Sequence, residues 1–310
     1  MKTCRLWQFA TGAGLLLLCA CHPQKSLPPK AAATNRFNAV KLEKLRDKAQ
    51  SADPQMQFKL GLMYAHGEGA PQDPVEAAKW FRKAADRGDA QAQARLGMMF
   101  ANGEGVPQSS TESLKWYRLA ADQGNTDAQA NLGTIYAQGN GVPKDYAEAI
   151  SWLRKAADQS HPGAQTRLGH LYENGEGVPQ DYGEALNWFR RAAEREYAPA
   201  QCSLGVMHEK GRGVAQDYSQ AVLWYRKAAD QGLLEAQTRL AICFEEGIGT
   251  PKDPVEAYKW FNLAAAQGSK NAATYRDQLA QGMSAAQIAE AQHRATQFLA
   301  RRPVALALAF

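Results

Sequence analysis

Cysteine is scarce in this chain of 310 residues: there are five, three of them within the first 21 positions, leaving only Cys202 and Cys243 beyond. That excludes a small domain stapled by disulfides, which needs many cross-links to compensate a meagre core. Charge of one sign is also lacking. Lys and Arg total 36 against 31 Asp and Glu, and the net +5 falls to +3 when Lys2 and Arg5 at the front are set aside. So mild a balance argues against recognition of nucleic acid. Long apolar runs are missing, apart from Leu6 to Leu18. Groupings that carry chemistry are missing too: the six histidines, His22, His66, His161, His170, His208 and His293, form no His-Glu-x-x-His zinc pattern, and no serine has a well-placed lysine or histidine. The sequence thus offers no catalytic residue, no cofactor site, no metal site and no small-molecule substrate, and it reads as a non-enzyme.

What is present begins with an address. MKTCRLWQFATGAGLLLLCAC combines Lys2, Arg5, an apolar stretch shorter than the ~20 residues that cross a bilayer, and small residues at its end. This is a signal-peptide layout over residues 1–20. Leu18-Cys19-Ala20-Cys21 resembles the bacterial lipobox, which makes Cys21 the expected lipidated first residue. Cys19 as acceptor fits the pattern poorly, and an ordinary secretory signal with an incidental cysteine is the competing reading. Several acyl chains on one cysteine anchor stably where a single chain is marginal. His22 rather than aspartate follows Cys21, and resemblance to bacterial lipoproteins then implies the outer membrane, facing the periplasm. Residues 21–36, rich in Pro, Ala and Lys, read as a tether that reaches at most about 50 Å.

From residue 53 to 268 the chain repeats itself. Glycine pairs recur at Gly67/Gly69, Gly103/Gly105, Gly139/Gly141, Gly175/Gly177, Gly211/Gly213 and Gly247/Gly249, a step of 36 residues each time. Tryptophan keeps the same ruler at Trp80, Trp116, Trp152, Trp188, Trp224 and Trp260. A fixed period of this length predicts stacked helical hairpins, because one hairpin cannot bury its apolar face alone. In helix A of the third copy, Ala128, Leu132, Ile135 and Tyr136 fall on one helical face. Gly133 and its equivalents sit mid-helix despite a cost of about 1 kcal/mol, so something must approach closely there. Ala241 in the sixth copy points to a need for smallness rather than for a special backbone angle. Helix B starts at Asp73, Ser109, Asp145, Asp181, Asp217 or Asp253, with Glu or Gln three residues on, a capping-box pattern. Gly88, Gly124, Gly232 and Gly268 are natural helix ends, whereas copies three and four carry Ser160 and Glu196 there.

The segments LGTIYAQGNGVPKDYAEAISWLRKAA from Leu132 and LGHLYENGEGVPQDYGEALNWFRRAA from Leu168 resemble the Sel-one-like repeat, a relative of the tetratricopeptide repeat. The resemblance implies an all-α fold, an α-solenoid forming a right-handed superhelix of six 36-residue repeats. Residues 37–52 are expected to cap one end and the helices and tail of 269–310 the other. It also implies a protein-binding scaffold whose concave side is lined mostly by A helices. Some relatives act as envelope assembly adaptors or host-interaction factors, and others as immunity lipoproteins that neutralise a phospholipase toxin. A cysteine-rich branch closes each hairpin with a disulfide and has been linked to β-lactam chemistry. Here Cys202 and Cys243 occupy different columns, so neither that bridge nor a β-lactam or cell-wall enzyme is expected.

Comparison of the copies with one another separates scaffold positions from free ones. Gln57, Gln93, Gln129, Gln165, Gln201 and Gln237 are identical, which predicts a repeated structural hydrogen bond. The column Leu62, Met98, Thr134, His170, Val206 and Ile242 is too apolar for a freely solvated face. It either packs on adjacent helices or meets a protein partner. Beside it run Lys59, Arg95, Asn131, Arg167, Ser203 and Arg239, a basic strip suited to a partly acidic partner surface or equally an ordinary solvated rim. For the anchor, Cys21→Ser moves the protein from the membrane to the soluble fraction, and mass spectrometry of the wild type finds acyl chains on Cys21. An intact, unmodified mature terminus contradicts that expectation.

Overall fold

The structure, a computed structural model, describes residues 45–47 and 53–301. The signal segment, Cys21, the tether, most of the expected N-terminal cap and residues 302–310 lie outside them. Among the described residues every element is a helix, beginning with α1 at residues 45–47. The A helices are α2 (Pro54–His66), α4 (Ala90–Asn102), α6 (Thr126–Gln138), α8 (Pro162–Asn174), α10 (Ala198–Lys210) and α12 (Leu234–Glu246). The B helices are α3 (Pro74–Ala85), α5 (Ser110–Asp122), α7 (Tyr146–Asp158), α9 (Tyr182–Ala193), α11 (Tyr218–Asp230) and α13 (Pro254–Ala266). Then come α14 (Lys270–Ala280) and α15 (Ala285–Arg301). From α2 to α14 each helix packs on the next, so the fold is the expected α-solenoid.

The expected N-caps are made. Asp73 Oδ1 accepts from the amides of Val75 and Glu76, both at 3.0 Å, and Asp145 and Asp217 accept from the third helical residue. The reciprocal half of the capping box is not made, which corrects the sequence reading. The amide of Asp73 donates instead to the Tyr64 carbonyl at 2.9 Å, and those of Ser109, Asp145, Asp181, Asp217 and Asp253 likewise reach back to their own A helix. The glutamates are thereby released. Glu112 and Glu148 accept from the indole N–H of Trp116 and Trp152 at 3.2 and 2.9 Å, tying the first turn of helix B to its own tryptophan.

The mid-helix glycines answer to a ring. A Cβ at Gly61 would lie 2.6 Å from Phe81, at Gly169 2.5 Å from Phe189 and at Gly205 2.4 Å from Tyr225. These rings directly follow the periodic tryptophan and are buried to 2% exposure or less, so the glycine lets helix A close onto helix B. The second glycine of each pair performs the same service between hairpins. A Cβ at Gly105 would stand 2.1 Å from the Pro74 carbonyl oxygen, and at Gly249 2.2 Å from that of Tyr218, both at the start of the preceding B helix.

The identical glutamines bind three elements together. Gln129 Nε2 donates to the Ala121 carbonyl at 3.2 Å, at the end of the previous B helix, while its Oε1 accepts from Gln159 at 2.8 Å, at the end of its own. Gln93 and Gln237 repeat both bonds. At Gln165 the donor has become Arg195, and Gln165 Oε1 is left buried without a partner.

Consecutive A helices approach one another more closely than consecutive B helices, so the A row is the inner, concave side. At the far end α15 lies on α13, with Trp260 and Phe298 rings 5.2 Å apart and Arg294 paired to Glu256 at 3.0 Å. Two or three residues past the end of every B helix the chain turns left-handed, at Gly88, Gly124, Gly232 and Gly268 and also at Ser160 with φ 69° and Glu196 with φ 57°. Side chains other than glycine pay about 1 kcal/mol there. Ser160→Gly and Glu196→Gly are therefore each expected to raise stability by about 1 kcal/mol in urea unfolding, and Gly124→Ala to lower it by a similar amount. Unchanged or lower midpoints for both glycine variants contradict this.

Candidate functional site

Residues three apart on a helix are neighbours, so each member of the apolar column sits beside a member of the polar strip. The pairs open onto cavities along the inner side. Lys59 and Leu62 line one of about 570 Å³ together with Leu45, and Arg95 and Met98 line one of about 280 Å³ with Phe58 and Asn131. Asn131, Thr134, Arg167 and His170 line a third of about 340 Å³, with Tyr197 at its edge. Arg239 and Ile242 line a fourth of about 490 Å³ beside Tyr218. Ser203 and Val206 belong to none of these.

The column proves to be shared between packing and groove. All six of its residues are half-buried. Leu62, Met98, Val206 and Ile242 press one side onto the core, and His170 meets Phe189 edge-on at 4.9 Å. What remains of each, Val206 excepted, faces the cavities.

The strip is not uniformly basic, which corrects the expectation for its C-terminal end. Arg239 is held by Glu235 at 3.0 Å and Glu209 at 3.7 Å. Nearby, Arg212 pairs with Glu173 at 2.9 Å, and Glu173 also bonds His170 at 3.3 Å. The hydrogen bond from His170 first, and then that from Arg212, holds the Glu173 carboxyl below its usual range. Lys59, Arg95 and Arg167 make no ion pair among the described residues, and Arg167 Nε is buried with no hydrogen-bond partner. Sequence reasoning located the cations but missed Glu173 and Glu209, which reach in from the preceding A helix, and Glu235, one turn before Arg239 on the same helix. It also missed that His161 caps α8 through Nδ1, 3.0 Å from the Ala164 amide, with Nε2 3.4 Å from Asp127.

The match to known proteins follows this architecture. The Sel1 repeat model fits residues 54–89, 90–125, 126–161, 162–197, 198–233 and 234–269. The chain belongs to the Sel1 repeat family. A Sel1 repeat protein from Oxalobacter formigenes is 34% identical with a TM-score of 0.67, over 74% of this chain and 99% of that one. A protective antigen of uropathogenic Escherichia coli strains is 30% identical with a TM-score of 0.53, over 86% of this chain and 65% of that one. An immunity protein from Pseudomonas aeruginosa shares the fold at 22% identity and a TM-score of 0.47, covering 78% of this chain and 83% of that one, too distant to bear on what this chain does. None of the curated proteins compared with the sequence matches it.

As a Sel1 repeat protein the chain carries a scaffold fold for protein–protein interaction. Among its described residues no three His, Cys, Asp or Glu side chains are grouped to hold a metal ion. Cys202 and Cys243 are free and buried. Burial, with the charge of Glu235, pushes the Cys202 thiol up to about 12, and burial with Glu209 pushes Cys243 up to about 11. Thiolate is the reactive form, so alkylation of both at pH 8 is expected to run about 100-fold slower in the native Sel1 repeat protein than in urea, rising with pH. Equal rates in the two states contradict their burial.

Proposed function

We propose that this Sel1 repeat protein is a non-enzymatic adaptor, anchored by lipid on Cys21 in the bacterial envelope, which binds a partner protein along its A-helix groove. One observation carries the groove: half-buried apolar side chains and polar neighbours recur at every A helix, leaving a line of cavities on the inner side. Interfaces combine apolar anchors with a polar rim in this manner. The anchor rests on the Leu18 to Cys21 motif, and the placement at the outer membrane facing the periplasm rests on His22.

The test is capture of cross-linked partners from the envelope of the producing cell, using the full chain in detergent. One stoichiometric partner is expected, and Arg95→Glu with Arg167→Glu should cut its recovery by about tenfold or more. Reversal of Arg191 and Lys227, exposed on B helices, should leave recovery unchanged. Equal loss from both pairs, or from neither, contradicts the groove assignment, and turnover of a cell-wall or β-lactam substrate abolished by one side-chain change contradicts the non-enzymatic reading.

A further inference from the structure

The groove divides its cations into two kinds. In the C-terminal half each groove arginine has a carboxylate of its own: Arg212 has Glu173 at 2.9 Å, and Arg239 has Glu235 at 3.0 Å with Glu209 at 3.7 Å. Toward the N-terminal half Arg95 and Arg167 have none among the described residues, although each lines a cavity. The two cavities adjoin. Asn131 lines both, and its side-chain amide has no hydrogen-bond partner among the described residues.

An arginine held at a cavity wall with a buried, unpaired Nε is poised to receive a charged acceptor, since charge-assisted bonds to guanidinium are the strong ones and an unmade buried bond is costly. The acidic groups in reach are already engaged: Asp127 stands 3.4 Å from His161 Nε2, and Glu173 lies between His170 and Arg212. Among the described residues no further acceptor stands ready for it. Thr134 and Thr166, which line the same cavity, spend their hydroxyl protons on the carbonyls of Ala130 and Pro162, so they add no competing donor.

We infer that the groove over α4, α6 and α8 binds an extended acidic segment of the partner protein, with one carboxylate on Arg95, a second on Arg167, and the peptide backbone on the Asn131 amide. The spacing follows from the scaffold. Arg95 and Arg167 are two repeats apart, and packed helices lie about 10 Å from one another, so the carboxylates must be about 20 Å apart. A chain extended at about 3.3 Å per residue covers that in about six residues, and positions six apart point to the same side of an extended strand. A donor and an acceptor on one amide suit a backbone passing between them.

This inference rests on the groove reading above, and the experiment separates the two. Fluorescein-labelled twelve-residue Ser/Thr peptides carrying two glutamates three, six or nine residues apart, or glutamines at the six-residue spacing, are titrated against the full chain in detergent by anisotropy. The six-residue glutamate peptide is expected to bind about tenfold tighter than its glutamine twin, and Arg95→Gln or Arg167→Met to remove most of that gain. Arg167→Met keeps the aliphatic stem, and circular dichroism checks that each variant is folded; Arg95→Gln, on an exposed side chain, serves alone if Arg167→Met unfolds. Equal binding of the glutamate and glutamine peptides, no spacing preference, no binding of any peptide, or a gain that survives both substitutions overturns the acidic ligand. Partner capture lost on reversal of Arg95 and Arg167 while the peptides fail leaves the groove standing and removes this inference alone.

Discussion

Five of the six hairpins depend on one contact, a ring or leucine of helix B lying on a glycine in the middle of helix A. Phe81, Tyr117, Leu153, Phe189 and Tyr225 occupy the space that a Cβ on the facing glycine would claim. The second loop glycine repeats the arrangement toward the previous hairpin, where the carbonyls of Pro74, Tyr182 and Tyr218 stand in the way of any side chain at Gly105, Gly213 and Gly249. Two close approaches per unit, one within the hairpin and one between hairpins, leave no slack for an insertion. The unbroken step of 36 residues follows from that. Ala241 holds the equivalent position in the last hairpin and is fully buried in the same cluster as Phe261, so one methyl group is accommodated there.

The joint between the fourth and fifth repeats is built differently from the others. Glu196 sits in a left-handed conformation, Gln165 Oε1 has no donor although Arg87 makes the equivalent bond to Gln57 at 3.1 Å, and Tyr197 gives α10 no side-chain cap. His208 replaces the aromatic residue of helix A. Its Nδ1 is buried without a partner, and burial first, then the charge of Arg190, holds its pKa below the ordinary value. Such a histidine is neutral in the folded state, so the stability it contributes is present above the unfolded pKa and is lost as pH falls.

Periodic features were legible from the residues alone. Gly133 announced a close approach, the six glutamines a repeated bond, and Asp73 with its equivalents the start of helix B, because each is a local constraint copied six times. Where a pattern admits two partners the sequence was silent or misleading. Glu112 fits a capping box, yet its carboxylate goes to Trp116, since the Ser109 amide has already been taken by the Phe100 carbonyl. Arg239 looks equivalent to Arg95 in the repeat, and Glu235 four residues earlier, where the second copy has Gln91, together with Glu209 from the neighbouring A helix, separates a neutralised cation from an unpaired one. Glu173, Glu209 and Glu245 share one column of the repeat, which reads Ala65, Ala101 and Ala137 in the first three copies, so the acids belong to the C-terminal half alone.

The account makes the inner face of the A helices the working surface and the B helices its support. Hydrogen exchange of the captured complex tests that division directly. The account predicts added protection in residues 90–102, 126–138 and 162–174, the segments α4, α6 and α8, with B-helix amides unchanged. Protection gained along the B helices, or only at the ends of the array, contradicts it.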